Sequence, residues 1–184
     1  MHQIVLVRHA AATGQDALAT LTDEGQRQAR VLADVLWPFK IQRVISSPFV
    51  RATESVGPFC RRANLLVETD DRLVERVLSA RSLPDWREHL RWSFEDLDYC
   101  LEDGESSRTA QARGTSAIRT ALASGERCLL VTHGNLLALM LKSIDATVGY
   151  DVWSMLSNPD VFVLHVNDDG PHGFSRAWAS VDRI

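Results

Sequence analysis

The chain is poor in cysteine, and the three it has, Cys60, Cys100 and Cys128, lie far apart. An odd, widely spaced set makes neither a disulfide framework nor a CxxC zinc site, so all three are expected to be free thiols. Long apolar runs are missing too, and none approaches the length that spans a bilayer. The chain does not open with a basic stretch, an apolar run and a small-residue cleavage site, so a secretory signal is not expected and a cytoplasmic location is the default. There is no surplus of positive charge. Lys and Arg number 20 against 24 Asp and Glu, and the basic pair Arg61-Arg62 is offset by the acids between Glu68 and Asp71. A net charge of -4 with dispersed basic residues leaves no electrostatic footprint for nucleic acid. Two nucleotide and nucleophile signatures are absent: GxxxxGK[ST], which would cradle a triphosphate, and GxSxG, which would present a serine. Internal repeats and low-complexity segments are also absent.

What is present is 184 residues of 45% hydrophobic content, enough for one domain over residues 1–184 with a sizeable core. Ile4-Val5-Leu6-Val7 reads as a buried strand within residues 3–7. Thr22 can cap a helix with Asp23 and Glu24 in its first turn and Ala29, Leu32, Val35 and Leu36 along one face, ended by Pro38. Val44-Ile45 is the centre of a second strand, and Ser47-Pro48 reads as a cap and first residue of a second helix. Further expectations are a strand at 65–67, a short helix around 84–94, a helix over 106–123, a strand at 128–132 and an apolar helix over 134–142. A strand at 161–166 follows, and an antiparallel edge strand at 174–181 ends the series. Strands alternating with helices predict an α/β protein, a three-layer α/β/α sandwich with a mostly parallel central sheet.

Three of the strand ends carry chemistry. Arg8-His9 follows the first, Ser47-Pro48-x-x-Arg51 follows the second, and His133-Gly134 follows Leu129-Leu130-Val131-Thr132. Ligands of open α/β sheets bind at such ends. A guanidinium offers a planar fork for phosphate or carboxylate, and a neutral imidazole offers a lone pair. Arg51, near a helix start, opposes the helix dipole at roughly 0.3–1 kcal/mol unless an anion sits between them. The free N–H groups of that helix start would bind the same anion. A metal site fits less well. His9 and His133 have no second ligand close in sequence, His2 is at the wrong end of its strand, and arginines disfavour a cation.

The segments Val7-Arg8-His9-Ala10, Leu21-Thr22-x-x-Gly25-x-x-Gln28-Ala29, Ser46-Ser47-Pro48-x-x-Arg51-Ala52-x-x-Ser55, Leu73-x-Glu75 and Thr132-His133-Gly134 occur in this order along nearly the whole chain. Together they resemble the histidine phosphatase superfamily, which includes the phosphoglycerate mutases. The resemblance implies that His9 is the nucleophile, that Arg8, Arg51 and His133 hold the phosphoryl oxygens, and that Glu75 is the proton donor to the leaving group. It extends substrate contact to Gly134, and to Gln15 in place of the family's usual Asn. Gly104-Glu105-Ser106 resembles a family segment on the substrate side, where Glu105 and Ser106 contact substrate or cap the following helix. Neither a metal nor an organic cofactor is implied. Ala10 stands where the family usually has Gly, and Ala12 where a hydroxyl or acid is common.

The short span from Glu75 to His133 looks more like the small phosphatases than the glycolytic mutases, whose longer segments close over the site. The expected function is metal-independent hydrolysis of a phosphomonoester through a phosphohistidine. The substrate would be a phosphorylated small molecule or a phosphoprotein. Neither nucleic acid nor membrane is an expected partner, and the oligomeric state is left open. The alternatives are phosphoglycerate mutase-type transfer, a phosphohistidine or phosphoserine protein phosphatase, and a non-catalytic phosphate-binding module. The alcohol side of the substrate is expected to meet residues 78–106, where Trp86, Trp92, Phe94 and Tyr99 read equally as core or as ligand wall. Arg76, Arg81 and Arg87 are candidates for a second anionic group, and each also reads as solvated surface.

Overall fold

The computed structural model describes residues 3–178. Strands β1 (Ile4–Arg8), β2 (Arg43–Ser46), β3 (Val67–Thr69), β4 (Cys128–Thr132), β5 (Asp160–Asn167) and β6 (Gly170–Arg176) form one sheet in the order β3-β2-β4-β1-β5-β6. The first four run parallel, and β5 is antiparallel to β1 and to β6. The helices are α1 (Asp23–Leu36), α2 (Val50–Ala63), α3 (Trp86–Glu95), α4 (Ser107–Ala123), α5 (Gly134–Lys142) and α6 (Tyr150–Ser154).

The alternation of side chains along β1 sorts the helices into layers. Val5 and Val7 join Leu129 and Val131 in a cluster with Leu32, Leu36, Val56 and Phe59 of α1 and α2. Ile4 and Leu6 join Leu130 in a second cluster with Ala117 and Ile118 of α4 and Leu137 and Leu141 of α5. Both faces of the sheet are therefore covered, as a run of wholly apolar strands requires. The α/β/α expectation holds.

Several boundaries differ from the sequence reading. Helix α2 begins at Val50, with Phe49 at its cap and no side-chain capping bond. Ser47 belongs instead to the strand end: its N–H bonds Val131 O at 2.9 Å. Strand β3 starts two residues late, because Asn64 closes α2 in a left-handed conformation (φ 54°) and Leu65 N–H returns to Cys60 O. The last strand begins at Gly170, whose φ of +114° makes the turn out of β5. Residues 179–181 of the expected edge strand lie outside the described residues. Cys60, Cys100 and Cys128 are free thiols, and burial pushes the Cys60 thiol up to about 11.

Candidate active site

Sheet order does the assembling. β4 lies between β2 and β1, so the three strand ends carrying Ser47, His133 and His9 are neighbours. Arg8 is level with Thr132 and Ser46 with Val131. The chain leaves β1 with His9 N–H bonded to Thr132 O at 3.1 Å. The next turn is fastened from several sides. Ala10 N–H donates to Ser55 Oγ (2.8 Å), Ala11 N–H to Gln28 Oε1 (2.9 Å), and the Asn158 amide to His9 O (2.8 Å). Gly25 lets α1 pass under this turn, since a Cβ there would come within 1.9 Å of Ala11 O.

His9 is 7% exposed. Its Nδ1 lies 2.7 Å from Ala10 O, so Nδ1 carries the proton and Nε2 the lone pair. Burial lowers the imidazole from 6.5 to about 4; the bond to Ala10 opposes this, while Arg51 and Arg8 add to it. The ring is a neutral base at pH 7, oriented with one nitrogen free to attack. Arg51 Nε–H points at that nitrogen from 3.2 Å.

His133 is fully buried, with its ring 5.0 Å from that of His9 in an edge-to-face arrangement. Its Nε2 is 2.8 Å from Ser47 Oγ. Phe49 N–H donates to the same hydroxyl oxygen (3.3 Å), so the Ser47 O–H is free to donate to His133 Nε2. That arrangement leaves Nδ1–H as the other donor, and Nδ1 is buried without a partner. Burial, then His9 and three arginines, hold His133 well below its ordinary value. A neutral imidazole with an unanswered N–H beside His9 is a ready donor to an anion.

The two guanidiniums are held at their rims. Arg51, 1% exposed, donates through Nη1 to Asp16 O (2.7 Å) and lies over the Phe49 ring at 4.9 Å. Arg8 donates through Nη1 to Leu156 O (2.9 Å), and its Nε is buried with no partner. The Arg8 guanidinium packs on Gly134, where a Cβ would sit 3.0–3.1 Å from its atoms. Any larger residue at 134 would displace it. Burial lowers both arginines from their ordinary value, and Glu75 opposes the shift in each.

Glu75 closes the site from the side. Its Oε2 accepts Asn135 N–H and its Oε1 accepts Leu136 N–H, both at 3.0 Å, at the start of α5. Oε1 also accepts Arg76 N–H at 2.9 Å. The segment before it is pinned by Thr132 Oγ1 to Leu73 O (2.8 Å) and by Arg113 Nη1 to Arg72 O and Val74 O (2.7 and 2.8 Å).

Arg8, Gln15, Arg51, Glu75 and Gly134 line a cavity of about 1120 Å³. His9, His133, Glu105 and Ser106 are not among its lining residues. The Glu105 carboxylate forms a two-point pair with Arg113 (2.7 and 2.9 Å), which helps to hold the Glu75 segment. Ser106 caps α4 by accepting Thr109 N–H at 3.1 Å. Of the readings open for these two, the structure favours scaffold over substrate contact. Arg76 is not solvated surface: it is 5% exposed and donates to Glu105 O and Ser93 Oγ, both at 2.7 Å. Ser47, Phe49 and Asn158 had no site role from sequence. Ser47 lies at a strand end and inside a matched segment, which signals its place but not its bond to His133; Asn158 carries no such signal. Among the described residues no group of three or more His, Cys, Asp or Glu is placed to hold a metal ion. No helix among them is long and apolar enough to cross a membrane.

Two guanidiniums and two buried imidazoles thus meet at the ends of parallel strands. The family model of the histidine phosphatase superfamily (branch 1) matches residues 4–175, and the chain belongs to that superfamily. Two uncharacterized proteins of Mycobacterium tuberculosis, from different strains, are 32% and 31% identical over 121 residues. Each match covers 61% of this chain and 60% of the relative, so the chain spans less than two thirds of the curated relatives it matches. Among solved structures, a mycobacterial glucosyl-3-phosphoglycerate phosphatase in complex with inorganic phosphate has a TM-score of 0.77 at 21% identity, covering 96% of this chain and 95% of that one. Bacillus stearothermophilus YhfR gives 0.77 at 21%, covering 96% of each. A mutant phosphoserine phosphatase of Entamoeba histolytica with phosphoserine gives 0.76 at 15%, covering 100% and 98%. At these identities the likeness speaks to the fold.

Proposed function

We propose that the protein hydrolyses phosphomonoesters by way of a phosphohistidine on His9. The observation that carries the reading is the state of His9: Nδ1–H fixed to Ala10 O, Nε2 unprotonated, and a guanidinium N–H already 3.2 Å from it. When a phosphoryl group enters, Arg51 Nε–H turns from the nitrogen to a phosphoryl oxygen. The Nε2 lone pair then forms the N–P bond while the P–O bond to the alcohol breaks. Glu75 gives its proton to the departing oxygen. The phosphorylated ring keeps its proton on Nδ1, and Ala10 O stabilises the resulting positive charge. Arg8, Arg51 and His133 Nδ1–H hold the phosphoryl oxygens as charge moves onto them. In the second half Glu75 takes a proton from water, the water oxygen bonds phosphorus, the N–P bond breaks, and neutral His9 and phosphate are restored. The substrate is a phosphorylated small molecule, the class that the names of the structural neighbours mention.

The test is chemical trapping. After brief reaction with an aryl phosphate carrying labelled phosphorus, the protein should hold an acid-labile, base-stable label that maps to His9. His9→Ala should neither label nor turn over. Full turnover by His9→Ala, or a label elsewhere in the wild type, would overturn the assignment.

A further inference from the structure

We infer that the substrate's alcohol is uncharged and largely apolar, an aryl-alkyl or branched alkyl group rather than a sugar acid or an amino acid. The inference rests on the phosphatase reading of the same site and goes on to the half of the substrate which that reading leaves open.

The cavity of about 1120 Å³ is far larger than a phosphoryl group needs. Beyond Arg8, Arg51 and Glu75 its large apolar residues are Phe49, Leu78, Leu83, Trp86, Leu90 and Trp153, with Gln15, Ser79, Ser82 and Asn135 as uncharged polar groups between them. The two tryptophans meet edge to face, with centroids 6.0 Å apart at 89°, so each fixes the other's orientation. Arg87 covers Trp86 at 4.6 Å and Tyr150 backs Trp153 at 5.3 Å. Phe49 touches both the His133 ring (5.0 Å) and the Arg51 guanidinium (4.9 Å). The apolar wall is thus continuous with the phosphate end. Pockets of this make-up, mostly apolar with a few convergent polar groups, bind ligands of matching polarity.

The charged residues of the wall point the same way. A second anionic group on the substrate would need a cation of its own. Arg76 is largely committed: Nε and Nη1 donate to Glu105 O and Ser93 Oγ, and only Nη2, buried, has no partner. Arg81 is 74% exposed at the rim and pairs with Asp103 at 3.1 Å. Asp16, which also lines the cavity, repels an anion. A carboxylate or second phosphate would lose water and find one buried N–H, Arg76 Nη2, in place of a free guanidinium fork.

The experiment compares primary-alcohol monoesters, so that leaving-group acidity differs little across the set: ethyl phosphate, 2-phenylethyl phosphate, 3-phosphoglycerate and phosphoserine. We expect kcat/KM for 2-phenylethyl phosphate to exceed that for ethyl phosphate by about 10- to 100-fold, the range set by burying one phenyl group. The two acids should do no better than ethyl phosphate. Trp153→Ala should bring the 2-phenylethyl to ethyl ratio down towards one, and Leu83→Ser, on the irregular segment before α3, should lower it without removing a ring. Calorimetric binding of 2-phenylethyl phosphonate and ethyl phosphonate to the full chain separates the two layers of the argument. Tighter binding of the phenylethyl compound without turnover of any ester would sink the hydrolase reading and leave the apolar wall standing. Equal binding of the two phosphonates, or preferred turnover of 3-phosphoglycerate or phosphoserine, would overturn the inference.

Discussion

Acidification should expose His9 as a group the fold keeps unprotonated. The folded imidazole sits at about 4, whereas an unfolded chain would have it near 6.5. Between those values the unfolded state binds more protons than the folded one, so stability rises with pH across that window. It is complete above pH 6.5 and is lost as the pH falls towards 4. The gap corresponds to about 3 kcal/mol for His9. Carboxylates contribute their own acid sensitivity, so the measurement must be a difference. Denaturant unfolding of the wild type and of His9→Gln at pH 7, 5.5 and 4.5 supplies it. The wild type should lose about 2–3 kcal/mol more than the variant between pH 7 and 4.5. The same low value should place the acid limb of kcat/KM well below pH 6, since that profile reports groups of the free enzyme. Parallel loss of stability in both proteins would show that His9 titrates normally. The account of a desolvated, pre-oriented nucleophile would then fall.

Arg51→Lys should cost roughly 2–4 kcal/mol of transition-state stabilisation, read as kcat/KM and vanadate inhibition, because a lysine cannot keep the contacts to His9, Asp16 O and a phosphoryl oxygen together. It should also lower the melting temperature, since Arg51 is 1% exposed; unchanged vanadate affinity would put Arg51 outside the pocket. Ser47→Ala leaves His133 Nε2 without its hydroxyl in a fully buried place, so about 1–3 kcal/mol of stability should go, and kcat should fall with it. Wild-type kcat in that variant would dismiss the hydroxyl as the group that sets the tautomer. Glu75→Gln should slow turnover of alkyl phosphates by about 10²–10⁴-fold but spare 4-nitrophenyl phosphate, whose leaving group needs no proton. Equal loss on both substrates would make Glu75 a structural cap of α5 rather than an acid.

Much of the site was legible because its parts sit at strand ends, and strands of unbroken apolar residues are easy to read. Ile4 to Val7 and Leu129 to Thr132 announce both a buried sheet and the points where it must let go of the chain, and His9 and His133 follow at those points. What escaped was anything decided by contacts distant in sequence. Ser47-Pro48 has the local form of a cap and first helical residue, but the Ser47 amide and hydroxyl are claimed by Val131 and His133, so the helix starts at Val50. Arg76 beside Glu75 looks like a solvated pair until Ser93 and Glu105 O enclose its guanidinium. Glu105 was visible as an acid near the substrate side, whereas its pairing with Arg113 depends on how α4 lies against the Glu75 segment. Local chemistry did decide Ser106, whose hydroxyl answers an N–H three residues on.

Ala10 bears on whether the site is a working one. Gly at that position would matter if the backbone there had to be left-handed, where a Cβ is strained. Among the described residues only Lys40 and Asn64 are non-glycine residues with positive φ, so Ala10 sits in an ordinary conformation. Its methyl is buried with Leu21 and Ala29, which gives the side chain a packing partner against α1. Meanwhile its backbone performs the two tasks the chemistry needs. The carbonyl holds His9 Nδ1–H, and the N–H is anchored on Ser55, whose own hydroxyl donates to Arg51 O at 2.6 Å. One short chain of bonds thus ties the turn that orients His9 to the first turn of the helix that carries Arg51. A module that only bound phosphate would need the arginines, but it would have no use for a fixed imidazole tautomer with its free nitrogen facing them. Ala in place of Gly at position 10 is therefore compatible with a turn that holds His9 in a fixed orientation.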